Sequence, residues 1–126
     1  MSPSEPARPG DDALSFDVSF EENACVVRVS GDIDITTAEW LRTRLLELAD
    51  EGHVNQVLSL EGDVFLDSAG LGAVVSIRRR LQVLGGALVL ACSNELVLRL
   101  LRLTSLDKVV AIHPTAREAL EAEFAG

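Results

Sequence analysis

Leu14, Phe16, Val18 and Phe20 alternate with Ser15, Asp17 and Ser19, a period of two that predicts a strand buried on one face. Glu21-Glu22-Asn23 predicts a turn, and residues 25–29 a second strand ending at Ser30-Gly31. The period then lengthens. Leu41, Leu45 and Leu48 recur at helical spacing, Thr36 and Glu39 predict a capping box at the helix start, and Gly52 its end. Residues 54–60 read as a buried strand. After the turn Glu61-Gly62-Asp63, the short apolar run Val64-Phe65-Leu66 leads to Asp67-Ser68. From Ala69 a helical pattern runs through Leu71, Val74, Val75, Arg78, Leu81 and Leu84 to Gly85-Gly86. Residues 87–91 predict another buried strand. Leu96, Leu100 and Leu103 predict a third helix capped by Ser93 or Asn94. Residues 109–112 read as a last strand, and Ala116, Ala119, Leu120 and Phe124 as an amphipathic helix after Pro114 and Thr115.

Strands and helices therefore alternate over most of the chain. That order predicts an α/β domain with a mixed, mainly parallel sheet, an antiparallel hairpin at its start and about four helices packed on it. The chain has 126 residues, enough for one core, and shows no internal repeat. Residues 14–126 are expected to form that domain. Residues 1–13, with Pro3, Pro6 and Pro9 and no apolar period, predict a disordered tail.

Charge narrows the choice of partners. Eleven basic residues against twenty acidic ones leave a net charge of −9, which argues against nucleic acid. The basic run Arg78-Arg79-Arg80 lies inside a helical pattern, where its members point in different directions and read as a solvated face. The first ten residues lack an apolar core segment, so no signal peptide is expected, and no apolar run approaches the roughly 20 residues that span a bilayer. A soluble, cytoplasmic protein without membrane insertion is expected. Cys25 and Cys92 lie in apolar stretches and read as buried thiols. His53 and His113 have no ligand partner at metal spacing, and no Gly-x-x-x-x-Gly-Lys-Ser/Thr loop is present, so no metal or cofactor is expected.

The chemistry concentrates at Asp67-Ser68-Ala69-Gly70-Leu71, where an apolar strand meets a helix. The first N–H groups of a helix have no internal partners and favour negative charge. A phosphate on Ser68 would be tolerated by its own fold, yet would add close to two negative charges for a partner to meet. The same residues also read as a simple helix cap. Gly70 and Gly72 each weaken a helix by about 1 kcal/mol relative to Ala, which implies close approach by another element or by a partner. An enzyme built on Ser68 is disfavoured. A hydrolase elbow needs Gly two residues before the serine, and position 66 is Leu.

Asp67-Ser68-Ala69-Gly70-Leu71-Gly72 resembles the Asp-Ser-Ser/Thr/Ala-Gly-Leu signature of STAS domains, the family of anti-sigma factor antagonists. Three further segments resemble that family in the same order. They are Gly31-Asp32-Ile33-Asp34 with Thr37-Ala38, then Gly85-Gly86-Ala87-Leu88-Val89-Leu90, then residues 100–107, Leu-Leu-Arg-Leu-Thr-Ser-Leu-Asp. The resemblance implies a mixed sheet with packed helices and a cycle. The unphosphorylated antagonist binds an anti-sigma factor with serine-kinase activity and frees a sigma factor. Phosphorylation of the serine after the motif aspartate, here Ser68, abolishes binding, and a serine phosphatase resets it. Ala69 stands where many relatives carry a second hydroxyl, which leaves Ser68 as the acceptor in the motif. Asp32 replaces the usual Glu, and Asp34 matches an acidic loop residue. Asp32, Asp34, Asp67, Ser68, Gly70 and Leu71 are expected to edge the partner surface. Ser105 stands where many relatives have Gly, and Trp40 reads as a surface contact or a core edge. STAS domains also serve as accessory or scaffold subunits of transporters and stress-signalling complexes, which is the alternative. A monomer or weak dimer is expected.

Overall fold

The computed structural model describes residues 14–126, so the expected tail at 1–13 lies outside the described residues. The first hairpin forms as its alternation predicts. Strand β1 (Leu14–Phe20) pairs antiparallel with β2 (Cys25–Ile33), Leu14 opposite Gly31 and Phe20 opposite Cys25. β2 outruns its own apolar pattern, which stops at Val29. Its extra residues pass through Gly31, whose φ of +112° suits glycine and few other residues.

That extra length organises the sheet. The first part of β2 pairs in parallel with β3 (Asn55–Ser59), and its last three residues pair in parallel with β4 (Val64–Leu66). Beyond β3 lie β5 (Ala87–Ala91) and β6 (Ala111–His113), both parallel to their neighbours. Among the described residues the order is β1-β2-β3-β5-β6, with β4 joined to β2.

The pleat sends side chains to two different layers. On one face Cys25, Val27, Val29, Leu58, Leu88 and Leu90 meet three helices: α1 (Ala38–Asp50), α2 (Ser68–Val83) and α3 (Glu95–Leu103). Leu41 and Leu45 come from α1, Val74, Ile77 and Leu81 from α2, and Val97 and Leu101 from α3. On the other face Val26, Val57, Val89 and Ala91 meet Ala116 and Ala119 of α4 (Ala116–Glu123). Central strands covered on both faces read as unbroken apolar runs, which is why β5 shows no alternation, while β3 is buried on both faces with Gln56 and Ser59 among its residues. A fully buried leucine such as Leu45 or Leu81 contributes about 1.5–3 kcal/mol to this core. Burial also pushes the Cys25 thiol up to about 11, and raises that of Cys92, so both stay protonated at neutral pH.

Two expectations are corrected. The Thr36–Glu39 capping box does not form: α1 starts at Ala38 with Thr37 as its cap residue, and the Thr36 hydroxyl donates to Asp34 Oδ1 at 2.6 Å instead. The last strand lies at Ala111–His113, later than expected, because a 3₁₀ turn (Leu106–Lys108) intervenes after Ser105. Ser105 holds φ at +63°, the left-handed conformation that favours glycine. Trp40 proves to be a core edge. Its ring meets Phe16 edge to face, with centroids 5.0 Å apart, and the Arg44 guanidinium lies 5.4 Å from the Phe16 centroid.

Buried polar contacts tie the loops down. Gln56 is fully buried, and its Nε2 donates to the Leu45 and His53 carbonyls, each at 2.9 Å. Glu61 Oε1 accepts from the Ser59 hydroxyl at 2.6 Å and from Ala116 N–H at 3.1 Å. A carboxylate in the turn before β4 thus holds the start of α4. Glu61→Ala should cost about 1 kcal/mol in urea unfolding and speed amide exchange in α4 first. Unchanged exchange there would refute the role.

Candidate functional site

The site forms where β2 and β4 end together. Ile33 is paired with Leu66, so the loops after these strands leave the sheet side by side. Asp67 N–H donates to the Ile33 carbonyl at 3.3 Å, which continues the strand pairing by one contact. Gly70 permits the approach. A Cβ there would lie 2.6 Å from the Ile33 oxygen and would collide with Leu66.

Asp67 is the N-cap of α2, with Oδ1 accepting from Ala69 N–H at 2.9 Å and Gly70 N–H at 3.1 Å. Both sequence readings of the motif therefore hold at once: the aspartate caps, and the serine after it is displayed. Ser68 is the first residue of the helix and is exposed. Its hydroxyl makes no hydrogen bond among the described residues. The positive end of a sixteen-residue helix lies beneath it.

The facing loop is built around Asp34. Its Oδ1 accepts from the Thr36 N–H at 2.9 Å and from the Thr36 hydroxyl at 2.6 Å. Thr37, with only 1% exposure, donates its hydroxyl to the Asp32 carbonyl at 2.6 Å and accepts from Asp34 N–H at 3.1 Å. The Thr36 hydroxyl and N–H hold the Asp34 carboxyl below its ordinary value. These contacts fix the loop. Among the described residues no group of three or more His, Cys, Asp or Glu side chains could hold a metal ion.

The predicted site residues divide. Asp32, Asp34, Asp67 and Ser68 stand around the junction of β2, β4 and α2. Asp32 is exposed on β2, opposite Phe65 of β4. Gly70 and Leu71, expected at the edge of the partner surface, are buried: Gly70 against Ile33 and Leu66, Leu71 in the main core. Sequence reading missed two apolar residues that are on the surface, Ile35 with 82% exposure and Phe65 with 58%. For Phe65 a signal existed. In a three-residue strand the middle side chain points away from the face that its neighbours bury. Phe65 also edges an apolar hollow of about 370 Å³ between β4 and α3, where Leu96 and Leu103 lie exposed.

An exposed serine on a capped helix start, ringed by carboxylates and surface apolar residues, defines a small α/β domain that presents a surface for recognition. A STAS domain model matches residues 15–119, and the chain belongs to the STAS domain family. It is 32% identical over 99 residues to the anti-sigma-B factor antagonist of Bacillus subtilis strain 168, covering 79% of this chain and 90% of that protein. An anti-sigma factor antagonist from Mycobacterium paratuberculosis superposes with a TM-score of 0.79 at 29% identity, covering 90% of this chain and 97% of that one. SpoIIAA in its unphosphorylated form shares the fold, with a TM-score of 0.72 at 22% identity over 86% of this chain and 95% of that one. Among the described residues no helix is long and apolar enough to cross a membrane.

The geometry makes two predictions. Gly70→Ala should lower stability by about 1–3 kcal/mol, because the added carbon meets backbone. Gly72→Ala, with nothing within 4 Å of the new carbon, should raise it by about 0.5–1 kcal/mol. Chemical denaturation of the pair checks this, and equal effects would refute the assignment. Asp34 should titrate below the ordinary 3.8 in the folded protein. Its depressed value means that its stabilisation is full above 3.8 and is lost as pH falls through the folded value. A carboxyl-carbon NMR titration with a midpoint at or above 3.8 would overturn that reading.

Proposed function

We propose that the chain is an anti-sigma factor antagonist, without catalytic activity of its own, that works as a phosphorylation switch in the cytoplasm. In its unphosphorylated form the surface around Ser68 binds an anti-sigma factor that is also a serine kinase, which frees the sigma factor. The kinase transfers the γ-phosphoryl group of ATP to Ser68 Oγ, releasing ADP and the hydroxyl proton. Hydrolysis by a serine phosphatase returns orthophosphate and the free hydroxyl.

The observation that carries this reading is the placement of Ser68, exposed and first in a capped helix. A phosphate there gains from the helix N-terminus, so the fold has no need to rearrange. A partner that closes over the neutral hydroxyl instead meets about two negative charges in a drying interface. Asp67 cannot offset them, since it is itself negative and is held in its cap. Exposed Ile35 and Phe65 supply the apolar contact area around the switch. The relatives' names point to the same kind of partner.

The test combines phosphosite mapping on protein from its own cells with calorimetry against the anti-sigma factor of the same genome. Ser68 phosphate should vary with growth condition. Ser68→Ala should bind and resist phosphorylation, while Ser68→Glu should lose about a hundredfold in affinity. An unmodified Ser68 in every condition, with Ser68→Glu binding normally, would replace this reading with an accessory or scaffold subunit of a transporter or stress-signalling complex.

A further inference from the structure

Among the described residues nothing calls for a glycine at position 72. It is exposed in the second turn of α2, its φ is not positive, and a Cβ built on it meets nothing within 4 Å. Glycine weakens a helix interior, and here neither strain nor internal packing requires it. What remains is close approach from beyond the described residues.

The surface around Gly72 is a groove between α1 and α2. It comprises two hollows of about 370 and 470 Å³ that share Arg42, Gly72 and Ser76. It starts at Ala69, beside Ser68, and reaches Arg79, Arg80 and Val83 three turns on. From Ser68 to Arg79 is about 16 Å along the helix axis at 1.5 Å per residue. Apolar side chains stand exposed at its two ends, Ile35 at one and Val83 at the other. Between them the lining sets Arg42, Arg79 and Arg80 against Glu39 and Asp50, a small basic excess in a chain of net charge −9. Arg42 is held in place by Ser76 at 2.8 Å and Glu39 at 3.1 Å. Arg80 reaches Asp50 only at 3.9 Å, and Arg79 makes no ion pair among the described residues. The sequence pattern made these arginines a solvated face. The packing of α1 against α2 instead gathers Arg79 and Arg80 with Arg42 along one trough.

We propose that the α1–α2 groove docks an acidic amphipathic helix of the anti-sigma partner, with Gly72 as its floor and Arg79 and Arg80 as its charge-reading wall. The proposal rests on the functional reading above and adds a second contact, separate from the serine switch. A groove about three turns long suits a helix, and a missing side chain lets two helix backbones approach closely. The occupant's acidic residues pair with the arginines, and its apolar residues cover Ile35 and Val83. Arg79 lies farther from Ser68 than the screening length of about 8 Å at physiological salt. The arginine end of the groove and the switch are therefore electrostatically independent of each other.

The test is calorimetry of the full chain against the anti-sigma factor of the same genome, over a range of salt. Gly72→Ala is the informative variant, since it should melt higher than wild type yet bind about tenfold more weakly. Arg79→Glu should also lose about tenfold and flatten the salt dependence, with Arg79→Lys restoring most of the affinity. Normal binding by both Gly72→Ala and Arg79→Glu, with Ser68→Glu still impaired, would overturn the groove and leave the switch standing. Failure of the wild-type chain to bind any anti-sigma factor would overturn the functional reading and this proposal with it. Self-association of the chain that either substitution abolishes would overturn it in favour of a second copy as the occupant.

Discussion

The Asp67 N–H meets the Ile33 carbonyl because β4 runs parallel to the last residues of β2 and because Gly70 has no side chain to hold them apart. Most of what the surface presents depends on that closeness. It brings the loop organised by Asp34 beside the start of α2. It sets the direction in which α2 leaves the sheet, and so the trough that α2 forms with α1. A side chain at position 70 would act on the strand ends, the loop and the helix together.

Division of labour within a few residues is the chemical theme. Asp67 satisfies two helix N–H groups and fixes where the helix begins. Ser68, relieved of that task, keeps a hydroxyl with no internal use. Asp34 plays the corresponding part across the junction, holding Thr36 while Thr37 bridges the backbone behind it. Each carboxylate spends its hydrogen-bonding capacity on shape. Its charge nevertheless stays at the surface, where it sets the electrostatic background for any phosphate.

Much of the architecture was legible as periodicity. The β1 alternation, the leucine stripes of α1 and α3 and the unbroken run of β5 each follow from which faces are covered. Element ends were harder to read, because local hydrogen bonds compete there. Thr36 and Glu39 match a capping box, yet Asp34 lies closer in the chain and takes the Thr36 hydroxyl first. β2 extends past its apolar residues because β4, thirty residues later, supplies its partner. Gly70 and Gly72 were equivalent as sequence, and only the neighbour at 70 and the empty space at 72 separate them. Leu71 and Phe65 exchanged expected roles. The motif leucine packs inward, while the phenylalanine of an apolar run points out.

Glu61 gives the domain a property that no single layer has. One carboxylate oxygen receives both the Ser59 hydroxyl at the end of β3 and the first N–H of α4, which covers the opposite face of the sheet. Glu61 also opens the turn that becomes β4, the strand leading straight to Ser68. The end of β3, the turn before β4 and the start of α4 are therefore joined through one atom. A load that draws α4 outward pulls on the same turn that sets the position of the serine. In mechanical terms the C-terminal helix is a lever whose fulcrum lies seven residues before the switch.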